Sequence, residues 1–202
     1  MHSSPIFRGT DADARAVIDA APLATVAVNG DTGPVVALAP LVWREDGRGL
    51  LGHVSRANPF WRCAETGPVE VVVVFVQGDA YVSPSAYPSK ADHGRVVPTW
   101  NYVAAEVRGQ LTLETNPHLM RGYIEPLTNR MEDGRAAPWS VDDAPEDYTA
   151  RLSAGIVGFE IEVTALTCIR KLSQNKGASD RAGVQAAFEA ENGALAREME
   201  RE

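Results

Sequence analysis

The sequence predicts an antiparallel β-barrel with helical additions, and three observations carry that expectation. About six β-branched segments are separated by turn signals, among them Asn29-Gly30, Asp46-Gly47 and Gly78-Asp79. One of these segments, VEVVVVFVQ, is apolar on both faces and reads as a central strand. Apart from the N-terminal helix and one short turn after Asn58-Pro59, the helical patterns fall late in the chain.

In chain order, Thr10 with Asp13 reads as a capped N-terminus opening the helix DADARAVIDA, which Pro22 ends. LATVAVN and PVVALAPLVW alternate as two strands, and GLLGHV is a third. Asn58-Pro59 is a cap with proline at the first helical position, leading into a short helix FWRCAE. VEVVVVFVQ turns at Gly78-Asp79 into AYVS. Pro84–Pro98 reads as a long loop, a feature that is often functional in a compact domain. WNYVAAEVRGQLTLE returns to strand, Asn116-Pro117 starts a helical stretch broken near Pro126, and SVDDAPEDY opens another helix. GFEIEVTALTCI alternates, with Phe159, Ile161 and Val163 on one face. The remainder, from Ser179, is helical with a charged tail. Residues 1–184 form the barrel domain in this reading, and 185–202 a C-terminal helical tail.

Composition excludes several classes. At 202 residues, 45% apolar and 23% charged, the chain is an ordinary globular protein able to bury a full core. No apolar run approaches a membrane span, and the N-terminus lacks a signal pattern, so the expected location is cytoplasmic. Cys63 and Cys168 cannot make a disulfide framework, and His2, His53, His93 and His118 are scattered, so no metal site is expected. Net charge is −8, from 27 acids against 19 bases, with no helix-turn-helix signature or basic stripe. Direct DNA contact is therefore not expected.

Four segments could carry chemistry. In GHVSRANP a strand end brings His53, the Ser55 hydroxyl, the Arg56 guanidinium and a helix capped by Asn58 within a few residues. An arginine fork beside a helix N-terminus suits phosphate. A surface arginine beside a routine cap explains the same residues, and both readings stand at this point. YVSPSAYPSK, ending at Lys90, and VPTWNY, with Trp100 and Asn101, hold rigid amphipathic residues able to line a flat aromatic ligand or to plug a barrel end. KLSQNK supplies Lys171, Ser173, Gln174, Asn175 and Lys176, whose amides can match imide edges in both directions. A solvated loop before the last helix is the alternative.

Taken together, GHVSRANPFWR, YVSPSAYPSKADHGRVVPTWNY, PWSVDDAPEDY, IVGFEIEV and KLSQNKGASDRAGV resemble the PaiB family of FMN-binding negative transcriptional regulators, over about Pro5 to Val184. The resemblance implies a split β-barrel that binds FMN and is shared with pyridoxamine-phosphate oxidases, usually as a homodimer with flavin at the subunit interface. It implies that Ser55 and Arg56 meet the FMN phosphate. It also implies that Lys90, Trp100, Asn101 and Lys171–Asn175 belong to the pocket. Ala86 stands where the family usually has tryptophan, and Glu106 and Met131 where histidines are usual. Some PaiB-like proteins bind haem, for which His53 is the natural axial candidate and His93 the second.

Three functions from different classes follow: a flavin-dependent regulator or sensor, an FMN-dependent oxidoreductase on a small substrate, and a haem-binding enzyme or carrier. No catalytic base is assigned, because a bound flavin would carry the hydride chemistry.

Overall fold

The computed structural model describes residues 4–201, so His2 lies outside the described residues. The chain divides into two compact units. A central unit comprises Ala21–Phe75 and Val107–Leu166. A terminal unit comprises the residues up to Ala20, Val76–Glu106, and the chain from Thr167 onward.

The central unit is built on β2 (Leu23–Gly30), β3 (Gly33–Trp43) and β4 (Gly49–Ser55), numbered after a two-residue β1 (Arg8–Gly9) in the terminal unit. Three long strands run from one unit into the other: β5 (Val69–Val82), β6 (Thr99–Glu114) and β7 (Ile156–Lys171). The antiparallel order is β1-β7-β4-β3-β2-β5-β6, and β6 also pairs with β7, which closes a ring of six strands. Register follows the alternation in sequence. Thr25 faces Leu38 on one side and Val74 on the other, and Gly52 faces Phe159. Val26, Leu41, Leu50, Val73, Phe75, Phe159 and Ile161 point into the core. Phe60 completes it, its ring 6.0 Å from that of Phe159.

The central unit also carries α3 (Arg121–Glu132) and α4 (Glu146–Ser153). Pro126 lies inside α3 without breaking it. A proline in a helix forfeits its own bond to the carbonyl four residues back, here Gly122, and the turns on either side continue. The expected break near Pro126 is therefore corrected.

In the terminal unit, α1 (Asp11–Ala20) is capped as expected: the Asp13 carboxylate accepts from the Thr10 amide and hydroxyl, both at 2.7 Å, and the Thr10 hydroxyl accepts from the Asp13 amide. Two further expectations are corrected there. β5 runs straight through Gly78-Asp79, because Gly78 keeps an ordinary backbone and the β-formers on both sides continue the pairing. The long loop from Pro84 contains a 3-10 turn, Pro84–Ala86, and a short helix α2 (Ser89–His93). The C-terminal helix is two helices, α5 (Ala178–Glu191) and α6 (Gly193–Glu200), parted at Asn192, whose side chain caps α6. Residue 184, the expected domain limit, lies inside α5 with its side chain buried.

Glu198 of α6 is buried and accepts from Gln77, Arg170 and Arg201 at 3.0–3.3 Å, which ties α6 to β5 and β7. No helix among the described residues is long and apolar enough to cross a membrane.

Candidate functional site

The expected site residues fall into two groups, one in each unit. In the central unit, β4 carries His53 and Ser55 to its end, where Arg56 and Asn58 follow. Ser55 Oγ accepts from the Ala57 amide, and Asn58 Oδ1 from the Phe60 amide at 3.0 Å. These bonds shape the turn and cap the short helix expected here, which is a six-residue 3-10 helix, Pro59–Ala64. The first free amide of that helix is already satisfied, so no open helix N-terminus remains for an anion.

Arg56 is held by carbonyls. Its Nε donates to Ala154 and one terminal nitrogen to Thr115 and Ile156, each at 3.2 Å. The other terminal nitrogen has no partner among the described residues. Trp61 Nε1 returns a bond to the Arg56 carbonyl at 3.0 Å, and the guanidinium lies 5.8 Å from the Trp61 ring centre. Arg56 and Trp61 line a cavity of about 490 Å³ with Glu65, Pro68, Thr112 and Leu113. That volume is in the range of small-molecule sites. An arginine with one clamped edge and one open nitrogen, beside an indole, fits the phosphate-bearing end of a flat aromatic ligand.

His53 is placed differently. It faces Gly158 across the sheet, and Gly158 is bare because the Tyr123 ring of α3 occupies the place of a side chain, 2.8–3.0 Å from where a β-carbon would stand. The imidazole bonds to the Tyr123 backbone, while its Nδ1 is shut away from solvent without a partner. Burial pushes its pKa below 6.5, against a smaller opposing effect of the Tyr123 bond. A histidine packed beneath a helix in this way does not present an open nitrogen to a haem iron.

The terminal unit gathers the other group. Asn101 and Ser173 are fully enclosed and bond to each other at 3.0–3.2 Å. Ser173 adopts a left-handed backbone, φ 64°, which reverses the chain just after β7. Gln174 spends both ends of its amide on this loop, accepting from the Leu172 amide and donating to the Arg170 carbonyl. Asn175 is exposed. Asn101, Ser173 and Gln174 therefore shape the loop. The cations hold neutral partners: Lys171 donates to Thr99 Oγ1 and the Trp100 carbonyl, and Lys90 to Ser85 Oγ at 3.0 Å. Trp100 is exposed, its ring edge-on to Tyr81 at 6.0 Å.

α5 fixes this group from below. A β-carbon on Gly183 would run into the Ala86 carbonyl, so only glycine lets the helix approach so closely. Asp180 accepts from the Ser89 amide and hydroxyl at 2.8–3.0 Å, and these bonds hold its carboxyl below its usual range. Trp61 on the cavity wall went unread in the sequence, and so did the burial of Tyr87. Tyr87 lies between two prolines in a segment read as loop. Its burial could have been suspected from its size alone.

Residues 1–165 match the family model described as "Putative FMN-binding domain". This chain belongs to that family. FMN is the cofactor that goes with it, and the architecture is the split barrel. The protein PAI 2 of Bacillus subtilis, a protease synthase and sporulation protein, is 29% identical over 87% of this chain and 82% of its own length. An uncharacterized protein of Emericella nidulans is 37% identical over 69% of this chain, which spans only 66% of that relative's length. Among solved structures, the FAD and heme binding protein of Mycobacterium smegmatis superposes with a TM-score of 0.60 at 19% identity, covering 86% of this chain and 77% of that one. That likeness concerns the fold alone.

Proposed function

We propose that the chain is a flavin-dependent sensor of the PaiB type. In this reading it holds FMN with the phosphate at Arg56 and influences gene expression in the cytoplasm without reading DNA itself. The observation that carries this is the Arg56 corner. Three carbonyls orient the guanidinium, and one nitrogen stays open beside Trp61 on a cavity of fitting size. When bound, the flavin supplies reversible electron transfer. The chain supplies the charge that anchors its phosphate and the indole that flanks it. A net charge of −8 opposes direct contact with a phosphate backbone.

The test compares FMN with riboflavin, which lacks the phosphate. Arg56→Ala is expected to weaken FMN about ten- to a hundredfold, the worth of one to two charge-assisted bonds, while riboflavin changes little. Equal weakening of both overturns the assignment of Arg56 to the phosphate.

The same reading includes a homodimer. Leu23, Val36 and Leu38 stand on one face of β2 and β3, each more than half exposed, beside Val72 and Val74 of β5. An apolar stripe of this kind on a sheet suits a second copy. Light scattering at micromolar concentration is expected to give a dimeric mass, and Leu38→Glu a monomeric one. A monomeric wild type removes the proposal.

A further inference from the structure

A separate cavity of about 470 Å³ lies within the terminal unit. It shares no residue with the Arg56 corner or with the loop from Lys171 to Lys176. Its walls come from β1, α1, β5, β7 and the end of α6. They carry three arginines, Arg8, Arg170 and Arg201, against two carboxylates, Asp13 and Glu198. β1 lays Arg8 opposite Ile169, the chain neighbour of Arg170. This surplus of positive charge stands in a chain whose net charge is −8.

Both carboxylates are engaged, while two of the cations keep open donors. Glu198 is buried; one of its oxygens accepts from Gln77 and Arg201, and the other from Arg170. Asp13 spends Oδ2 on the Thr10 amide and hydroxyl. Those bonds, with a smaller contribution from the Arg170 charge, hold its carboxyl below the usual range. Arg201 commits one terminal nitrogen to Glu198, and its side chain is 70% exposed. Its Nε and its other terminal nitrogen have no partner among the described residues. The Arg8 guanidinium has neither an ion pair nor a hydrogen bond among them. A guanidinium carries five N–H donors and no acceptor, so what it lacks here is an anionic acceptor. The floor of the cavity is small-sided: Ala16 and Ala20 stand one turn apart on α1, and both are exposed. Their methyl groups leave space that a longer side chain would fill.

We propose that this cavity binds a small organic monocarboxylate, with its carboxylate on the open edges of Arg8 and Arg201 and its apolar body over Ala16 and Ala20. A planar arginine fork meets a carboxylate through two parallel bonds. Three cations against two carboxylates leave one positive charge on the walls, which balances a monocarboxylate and not a phosphate dianion. The volume lies in the range of small-molecule sites and exceeds what a bare carboxylate group fills. Glu198 holds Arg170 and Arg201 in place before any ligand arrives. The site does not depend on the assignment of Arg56 or on a bound flavin.

The experiment titrates benzoate into the full chain by calorimetry at constant ionic strength, with and without saturating FMN. Wild type is expected to bind one benzoate at millimolar concentration or below, equally in both conditions. Benzamide, the uncharged counterpart, is expected to bind at least about tenfold more weakly, the order of one charge-assisted bond. Arg8→Gln and Arg201→Gln are each expected to weaken benzoate by at least about the same factor. Arg8→Lys recovers part of the loss, since an ammonium lacks the planar fork. Ala16→Leu weakens benzoate by filling the place of its ring while leaving every charge intact. Arg48→Gln, which removes a cation from an exposed turn of the central unit, leaves binding unchanged and controls for net charge. No binding by wild type, binding unaffected in both glutamine variants, equal affinity for benzamide, or displacement of benzoate by FMN overturns the proposal. Tighter binding of inorganic phosphate than of benzoate overturns the monocarboxylate class. Because one arm contains no flavin, these failures are distinct from a failure of the FMN reading.

Discussion

The Arg56 corner and the lysine loop solve the same electrostatic problem in opposite ways. Arg56 is fastened to three backbone carbonyls, so its position is set by the start of β7, the end of α4 and the chain after β6. Lys171 and Lys176 are fastened to a hydroxyl, a carbonyl and an aromatic face, and their loop owes its shape to the buried pair of Asn101 with Ser173 and to the two amide bonds of Gln174. The first arrangement is preorganised by main chain, the second by side chains that can be removed one at a time. Substitutions should therefore damage the loop through its supports and the corner only through Arg56 itself.

The largest effect is expected beneath the loop. Gly183→Val places side-chain atoms against the Ala86 backbone, which cannot yield, and should cost about 3 kcal/mol or more in urea unfolding. Gly177→Ala, where nothing lies within 4 Å of the added carbon, should stay within about 0.5 kcal/mol of wild type. If both variants were equally stable, the close approach of α5 would not matter.

A smaller effect is expected from the buried pair. Asn101→Ala and Ser173→Ala should each cost about 1–3 kcal/mol, because each leaves the other group enclosed without its partner. The double variant should cost clearly less than the sum. Strict additivity would mean that the two side chains do not support one another.

Much of this molecule was legible in sequence, for reasons that also mark the limits. The strands from Leu23 to Ser55 and from Ile156 to Lys171 alternate with period two, and one buried face dictates that pattern. The Thr10–Asp13 cap and the Asn58–Pro59 start are local chemistry, complete within four residues. Gly78-Asp79 and Pro126 misled because long strands and an established helix override a single breaker. The pairing of Asn101 with Ser173 spans 72 positions and leaves no local trace. In the same way, nothing near Arg56 in sequence announces the carbonyls of Thr115, Ala154 and Ile156. His53 read as a ligand because its residue type permits it, and only the placement of α3 shows it enclosed.

The smallest effect concerns that histidine. Its folded-state pKa is depressed, so the native protein favours the neutral ring. As pH falls below 6.5, the unfolded chain takes up a proton that the folded chain refuses. Stability contributed by this group is thus full above 6.5 and declines on acidification until the folded-state pKa is reached. Unfolding midpoints measured across this range should fall for wild type and be flatter for His53→Gln. Parallel profiles would show that enclosure of His53 does not disfavour its charged form.

The left-handed backbone at Ser173 also bears on motion. A non-glycine residue holds that conformation at a cost of about 1–2 kcal/mol, and here the bond to Asn101 offsets it. Strain and restraint of similar size leave the loop poised for local opening well below the free energy of global unfolding. Amide hydrogen exchange from Leu172 to Lys176 should then be faster than in the flanking strand β7. Ser173→Gly, which lifts the strain but deletes the restraint, should accelerate it further.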